Sequence, residues 1–193
     1  MNSITLSHKT IVDAVIPGEG VARDTMLVVG GTALTAICAQ VTIPWQPVPF
    51  TLQTLSVMLC GLALGPKRGA LSQLLYVGIG AAGIPVFAQG KYGVNVLFGA
   101  SGGYLLSFAI VAGILGLLAQ RGWTKSIWKT AAAMAIADTF VLGFGALWLS
   151  AYIGGQAAFN SGVAPFIVPE VMKAVIVILA LPLAWTLTKR SSQ

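Results

Sequence analysis

Glu170 and Lys173 stand three residues apart in an otherwise apolar stretch, a spacing that places both side chains on one face of a helix. Such a pair either neutralises itself or offers each charge to a ligand. A carboxylate accepts two parallel N–H donors from a urea-like group, and an ammonium holds a carboxylate. A small molecule with polar ends and an apolar middle fits the second reading. Asp138 is the other acid inside a long apolar run. It must face protein or a hydrated crevice, either as a hydrogen-bonded structural acid, protonated or not, or as a proton relay. The one histidine, His8, lies in the polar N-terminal tail, which removes histidine-based metal sites and catalytic dyads. No metal site and no catalytic residue is assigned. Cys38 and Cys60 lack Cys-x-x-Cys spacing and read as small buried apolar residues.

Two further stretches combine side chains suited to binding. Residues 44–50 hold Pro44, Pro47 and Pro49 and end in Phe50, so they form a stiff, extended segment that cannot be helix but can act as a shaped lid. Residues 88–95 are Gly-rich and mix Lys91, Tyr92 and Asn95, which suits either a binding surface or a plain connector. The run Gln89-Gly90-Lys91-Tyr92 fails as a phosphate loop, because Pro85 falls where the first Gly is required and Tyr92 where the Ser or Thr is. Any ATP-derived energy must therefore come from another chain.

The elements that carry these residues are six apolar runs at about 25–43, 50–64, 70–87, 99–119, 128–154 and 166–188. Most match the roughly 20 apolar residues that a membrane-crossing helix needs, and the second is short. Lys9, Arg23, Lys67, Arg68, Arg121, Lys125, Lys129, Lys189 and Arg190 fall in alternate gaps, whereas Lys91 and Lys173 fall on the opposite side. The positive-inside rule then puts both termini in the cytoplasm. The fold class is an all-α polytopic membrane protein of six transmembrane helices. An N-terminal cytoplasmic arm, residues 1–24, precedes a single membrane domain, residues 25–190. With 8% charged and 56% hydrophobic residues and a mean hydropathy of +0.87, the lipid bilayer is its solvent. The net charge of +6 is spread over separate loops, which suits anionic headgroups and excludes a nucleic-acid face.

On span one, Gly31, Thr35 and Ala39 form one small-residue stripe and Thr32 and Ala36 another, suited to bundle packing or to docking a partner helix. An intramembrane enzyme would need a nucleophile with a base, or a metal pair, and neither is present. An ion-coupled secondary transporter of a small carboxylated solute is the rival reading, with Asp138 or Glu170 as the titrating acid.

Four strings in order along the chain carry a resemblance: Val48-Pro49-Phe50-Thr51-Leu52-Gln53-Thr54-Leu55, Leu64-Gly65-Pro66-Lys67-Arg68-Gly69, Gly83-Ile84-Pro85-Val86-Phe87-Ala88 and Gly99-Ala100-Ser101-Gly102-Gly103-Tyr104-Leu105. With the Pro-acid-x-x-Lys start of the last span, the chain resembles the BioY family, the biotin-binding S components of energy-coupling-factor (ECF) transporters. The resemblance implies a six-helix S-component fold in a bacterial cytoplasmic (inner) membrane, with biotin as the transported substrate and no cofactor. It also implies partners: a membrane-embedded ECF coupling subunit and two ATP-binding cassette (ABC) ATPase subunits. Glu170 stands where the family commonly has Asp for the ureido N–H groups, and Lys173 where it has a Lys for the valerate carboxylate. Lys91 falls where some members have Asn, and Leu105 where some have Arg, so that Lys91 is a candidate for the missing cation. Gln53, Tyr92, Asn95 and Tyr104 are expected as polar or stacking neighbours, with Phe50 on the covering loop. The coupling subunit is expected to dock through an Ala-x-x-x-Ala motif matched loosely by Thr32 and Ala36, beside Gly31, Thr35 and Ala39.

Overall fold

The computed structural model describes residues 10–190, with side chains through residue 185. Expectations resting on His8 and Lys9, and on the side chains of Lys189 and Arg190, fall outside what it describes. In chain order the elements are α1 (Ile11–Val15), α2 (Val21–Gln40), the strands β1 (Thr42–Ile43) and β2 (Phe50–Thr51), α3 (Gln53–Leu64), α4 (Pro66–Ala81), α5 (Val94–Leu97), α6 (Gly102–Gln120), α7 (Ile127–Ile153), α8 (Gly155–Gly162) and α9 (Ile167–Arg190). Short 3-10 turns occupy Ala88–Gly90, Trp123–Lys125 and Ala164–Phe166. The long helices α2, α3, α4, α6, α7 and α9 are the six spans expected from the apolar runs.

The bundle keeps an apolar core but, unlike a water-soluble one, also turns large apolar side chains outward. Thr32, Thr35, Ser56, Ser72, Gln73, Ser107 and Thr130 are buried, while Met26, Ile37, Leu74, Leu147, Met172 and Leu179 are exposed. Lipid is as apolar as leucine, so helices associate through close packing and interhelical hydrogen bonds rather than by hiding apolar surface. The Thr32 hydroxyl accordingly donates to the Ser72 carbonyl of α4 at 2.9 Å, and Gln73 donates to the Thr35 hydroxyl at 3.1 Å. At the α3/α6 contact a Cβ on Gly61 would stand 2.7 Å from the Ala112 carbonyl oxygen, so only Gly permits that approach.

α2, α6, α7 and the segment Gly155–Trp185 are long and apolar enough to cross a membrane. α3 has 12 residues and α4 has 16. At about 1.5 Å per residue, neither α3 nor α4 covers the roughly 30 Å of hydrocarbon by itself. α4 starts at Pro66 and stops at Ala81, short of the expected end at 87, because Gly83 (φ 107°) and Pro85 turn the chain. The missing length is supplied at one end of the bundle by irregular chain. Residues 42–51 form a hairpin with Thr42 opposite Thr51 and Ile43 opposite Phe50, and residues 82–101 fold over the same end. Non-helical backbone is tolerated at such depth where it lines a cavity within protein.

The opposite end carries the basic turns and the arm. Thr10 and Asp13 form a capping box on α1, and Asp13 Oδ1 accepts from Arg23 of α2 at 3.0 Å and from Arg68 of α4 at 2.8 Å. α2 begins at Val21, four residues before the expected start of the first span.

Candidate ligand-binding site

α9 begins just ahead of Pro169, and Glu170 lies in its first turn, where the partial positive charge of the helix N-terminus favours an anion. Lys173 follows on the same face, and its Nζ lies 2.7 Å from Glu170 Oε1. Both side chains are buried, Glu170 at 3% and Lys173 at 7% exposure. Thr54, in the first turn of α3, completes the cluster: its hydroxyl donates to Glu170 Oε1 at 3.0 Å and accepts from Lys173 Nζ at 2.8 Å. Sequence reading missed Thr54, whose one available signal was its place inside the Leu52-Gln53-Thr54-Leu55 string. Asp138 of α7 reaches the same place, its carboxyl within hydrogen-bonding reach of Glu170. Asp138 Oδ1 and Glu170 Oε2 are buried with no hydrogen-bond donor.

Above Glu170 lies a cavity of about 640 Å³, counting its open part. Phe87, Leu105, Phe108, Val141, Leu142 and Phe166 give it apolar walls; Thr51, Gln53, Thr54, Ser101, Tyr104, Lys91 and Glu170 supply polar groups. Val48 and Pro49 of the Pro-rich segment close one side, so that segment is a wall of the cavity, as its stiffness suggested.

The residues expected at the site divide into groups. Glu170, Gln53, Tyr104 and Lys91 line the cavity. Gln53 is committed to structure: its amide donates to the Tyr76 hydroxyl at 2.5 Å and its carbonyl accepts from Thr51 at 2.9 Å. Tyr104 donates to the Gly162 carbonyl at 2.8 Å and stacks with Phe166 at 6.4 Å. Phe50 stands behind the wall, its ring 4.4 Å from that of Phe166. Lys173 sits behind Glu170, engaged by it and by Thr54. Tyr92 is 60% exposed, and Asn95 is also exposed, so neither faces the cavity. Lys91 is exposed as well but borders the cavity, and its backbone is extended, so that Tyr92 beside it points to the other side.

The expected docking stripe needs a correction. Gly31, Thr32, Thr35 and Ala39 are buried; Gly31, Thr32 and Thr35 pack against α4, and a Cβ on Gly31 would meet Leu64 and Ser72 at 3.0 Å. Ala36 is half-buried against the core. The stripe is an internal seam of the bundle, because the hydroxyls of Thr32 and Thr35 find their acceptors on α4.

A six-span bundle with a polar-floored, aromatic-walled cavity under one loop-covered end is a membrane protein built to hold a small solute. Residues 7–190 match the BioY family model. The chain is 40% identical over 82% of its length to a protein of Pyrococcus horikoshii described as "Probable biotin transporter BioY", covering 93% of that protein. It is 38% identical over 77% of its length to "Biotin transporter BioY" of Thermotoga maritima, covering 87% of it. Among solved structures, the S-component for biotin from an ECF-type ABC transporter superposes with a TM-score of 0.75 at 25% identity, over 89% of this chain and 92% of that one. The chain belongs to the BioY family, and its fold is the ECF S-component fold.

Proposed function

We propose that this protein is the membrane subunit that captures biotin for uptake, working with an ECF coupling subunit and ABC ATPase subunits. The observation that carries the reading is Glu170 Oε2, a buried carboxylate oxygen without a donor at the floor of an aromatic cavity, in a chain of this family. A ureido ring supplies N–H donors to such an oxygen, and the apolar middle of biotin packs against Phe87, Phe108 and Phe166. For the valerate carboxylate the open cation is Lys91, which lines the cavity, whereas Lys173 is held by Glu170 and Thr54. Lys173 then serves to hold Glu170 in place. The basic turns and the α1 arm face the cytoplasm, and the cavity opens outward in a bacterial inner membrane.

Binding of labelled biotin to the purified subunit, with lipoate, thiamin and riboflavin as competitors, tests the function. Displacement by biotin alone supports it, and equal displacement by thiamin or riboflavin sinks it. Lys91→Ala weakens biotin but leaves biotin methyl ester unchanged if Lys91 holds the carboxylate. The same selectivity in Lys173→Ala would transfer that role to Lys173. Single cysteines placed at Gln46 and Gln156 in a Cys-free variant react with an impermeant thiol reagent from outside, and those at Lys67 and Lys125 do not. Uptake persists when the proton gradient is collapsed and ATP is kept.

A further inference from the structure

Asp138 is the half-buried intramembrane acid that the solute site leaves unexplained. It does not line the cavity, yet its carboxyl lies within hydrogen-bonding reach of Glu170, and each of the two carboxyls keeps one buried oxygen that no donor reaches. Lys173 answers one negative charge, and its ammonium is directed at Glu170 Oε1 and Thr54. Among the described residues, Lys173 is the one cation whose charge acts on Asp138, Lys91 standing across the cavity from it. Of the elements packed against α7, α9 presents Glu170 and Lys173, and α6 presents the Tyr104 hydroxyl, which is spent on Gly162. α8 has no titratable side chain, and the Trp123–Lys125 turn holds Lys125 over Trp185 at the opposite end of the bundle. Two ionised carboxylates facing one another away from water repel strongly, and each orphaned acceptor is left without a compensating hydrogen bond. One proton removes both difficulties, as it turns the closer contact into an O–H···O⁻ hydrogen bond and brings the three charges to neutrality.

We propose that Asp138 is a positioning residue for Glu170, the two carboxyls sharing one proton that holds the Glu170 carboxylate in place at the cavity floor. Asp138 acts from behind the wall, through Glu170, without touching the solute. The rotation of Glu170 is then restrained from both sides: Lys173 and Thr54 on Oε1, the shared proton on one lone pair of Oε2, whose other lone pair stays open to the solute. Loss of that proton leaves two anions against one cation, frees Glu170 to swing from its position, and adds negative charge below an anionic solute. Affinity therefore falls as the proton leaves with rising pH.

The ligand readout rests on the biotin reading, so the primary test needs no ligand. Infrared difference spectra of the purified protein in lipid, wild type against Asp138→Asn, show a carbonyl-stretch band of a protonated carboxylic acid at neutral pH. The band shifts in D2O, disappears in the variant and is lost from wild type at high pH. Absence of that band in wild type overturns the proposal, whatever the solute is. The second test is biotin affinity. Asp138→Asn keeps an N–H donor toward Glu170, so it binds within about threefold of wild type at neutral pH, whereas Asp138→Leu, which cannot donate, loses about tenfold or more. As pH rises above neutral the wild-type affinity falls while that of Asp138→Asn stays flat. Asp138→Asn as damaged as Asp138→Leu, or sharing the wild-type pH profile, would show that Asp138 acts as an anion or only as packing. A band that behaves as stated in a protein that ignores biotin would leave the shared proton standing and remove the biotin reading instead.

Discussion

Asp13 and Glu170 are acids in ion clusters at opposite ends of the bundle, and their surroundings differ in one decisive respect. Asp13 has every acceptor met: Oδ1 by Arg23 and Arg68, Oδ2 by the Thr10 amide and hydroxyl. Burial alone would raise its pKa, but the hydrogen bonds from Thr10, Arg68 and Arg23 outweigh that and lower it from 3.8 to about 2. Its side chain is 26% exposed. Glu170 is more deeply buried, and Oε2 has no donor at all. A cluster that satisfies itself at a wet surface ties chain segments together. A buried carboxylate short of a donor calls for a group from elsewhere, and that is the mark of a site.

The comparison breaks first at Lys173. Lys173→Met leaves Glu170 buried and unpaired, at a cost of about 3–5 kcal/mol. Biotin affinity then drops about a hundredfold or more, and the melting temperature in detergent falls. Arg68→Met, at the wet end, should leave biotin affinity unchanged. Equal damage from the two variants would erase the distinction between the ends.

Thr54→Val keeps the shape and removes the hydroxyl that joins Lys173 to Glu170. The expected loss is about 1–3 kcal/mol, read as roughly tenfold weaker biotin with the fold retained. An unchanged affinity would mean that the Glu170–Lys173 pair holds itself without α3.

Asp13→Asn gives a smaller effect, at most about 1 kcal/mol given its partial exposure, and confined to the arm. Because the folded pKa of Asp13 lies below its ordinary value, its contribution is present above pH 3.8 and is lost as pH falls toward about 2. Amide exchange over residues 10–16 should therefore speed up through that window in wild type and be fast throughout in the variant. Biotin affinity at neutral pH stays the same.

The smallest effect is at Gln40, whose exposed amide donates to the Val86 and Phe87 carbonyls and accepts from the Gly90 amide, fastening the second loop over the cavity. Gln40→Ala should raise the biotin release rate a few-fold, about 0.5–1 kcal/mol, because these bonds compete with water. No change in release would show that the hairpin, and not this loop, sets the rate.

What the amino-acid sequence determined is local or one-dimensional. Apolar run lengths place six spans, the alternation of Lys and Arg separates the two ends, three prolines stiffen the covering segment, and a three-residue spacing puts Glu170 beside Lys173. Tertiary packing decided the rest. Thr54, Asp138 and Glu170 come from three helices 84 and 32 residues apart along the chain, and no helical period relates them. The Gly31/Thr35/Ala39 stripe suits a partner helix and α4 equally well, since a lipid-facing surface is as apolar as a core, and the hydrogen bonds from Thr32 to Ser72 and between Thr35 and Gln73 settle it as internal. Lys91 borders the cavity and Tyr92 does not because Gly90 (φ 67°) and Gly93 (φ 90°) set the direction of an extended stretch between them, a choice made by the backbone turn and not by side-chain type.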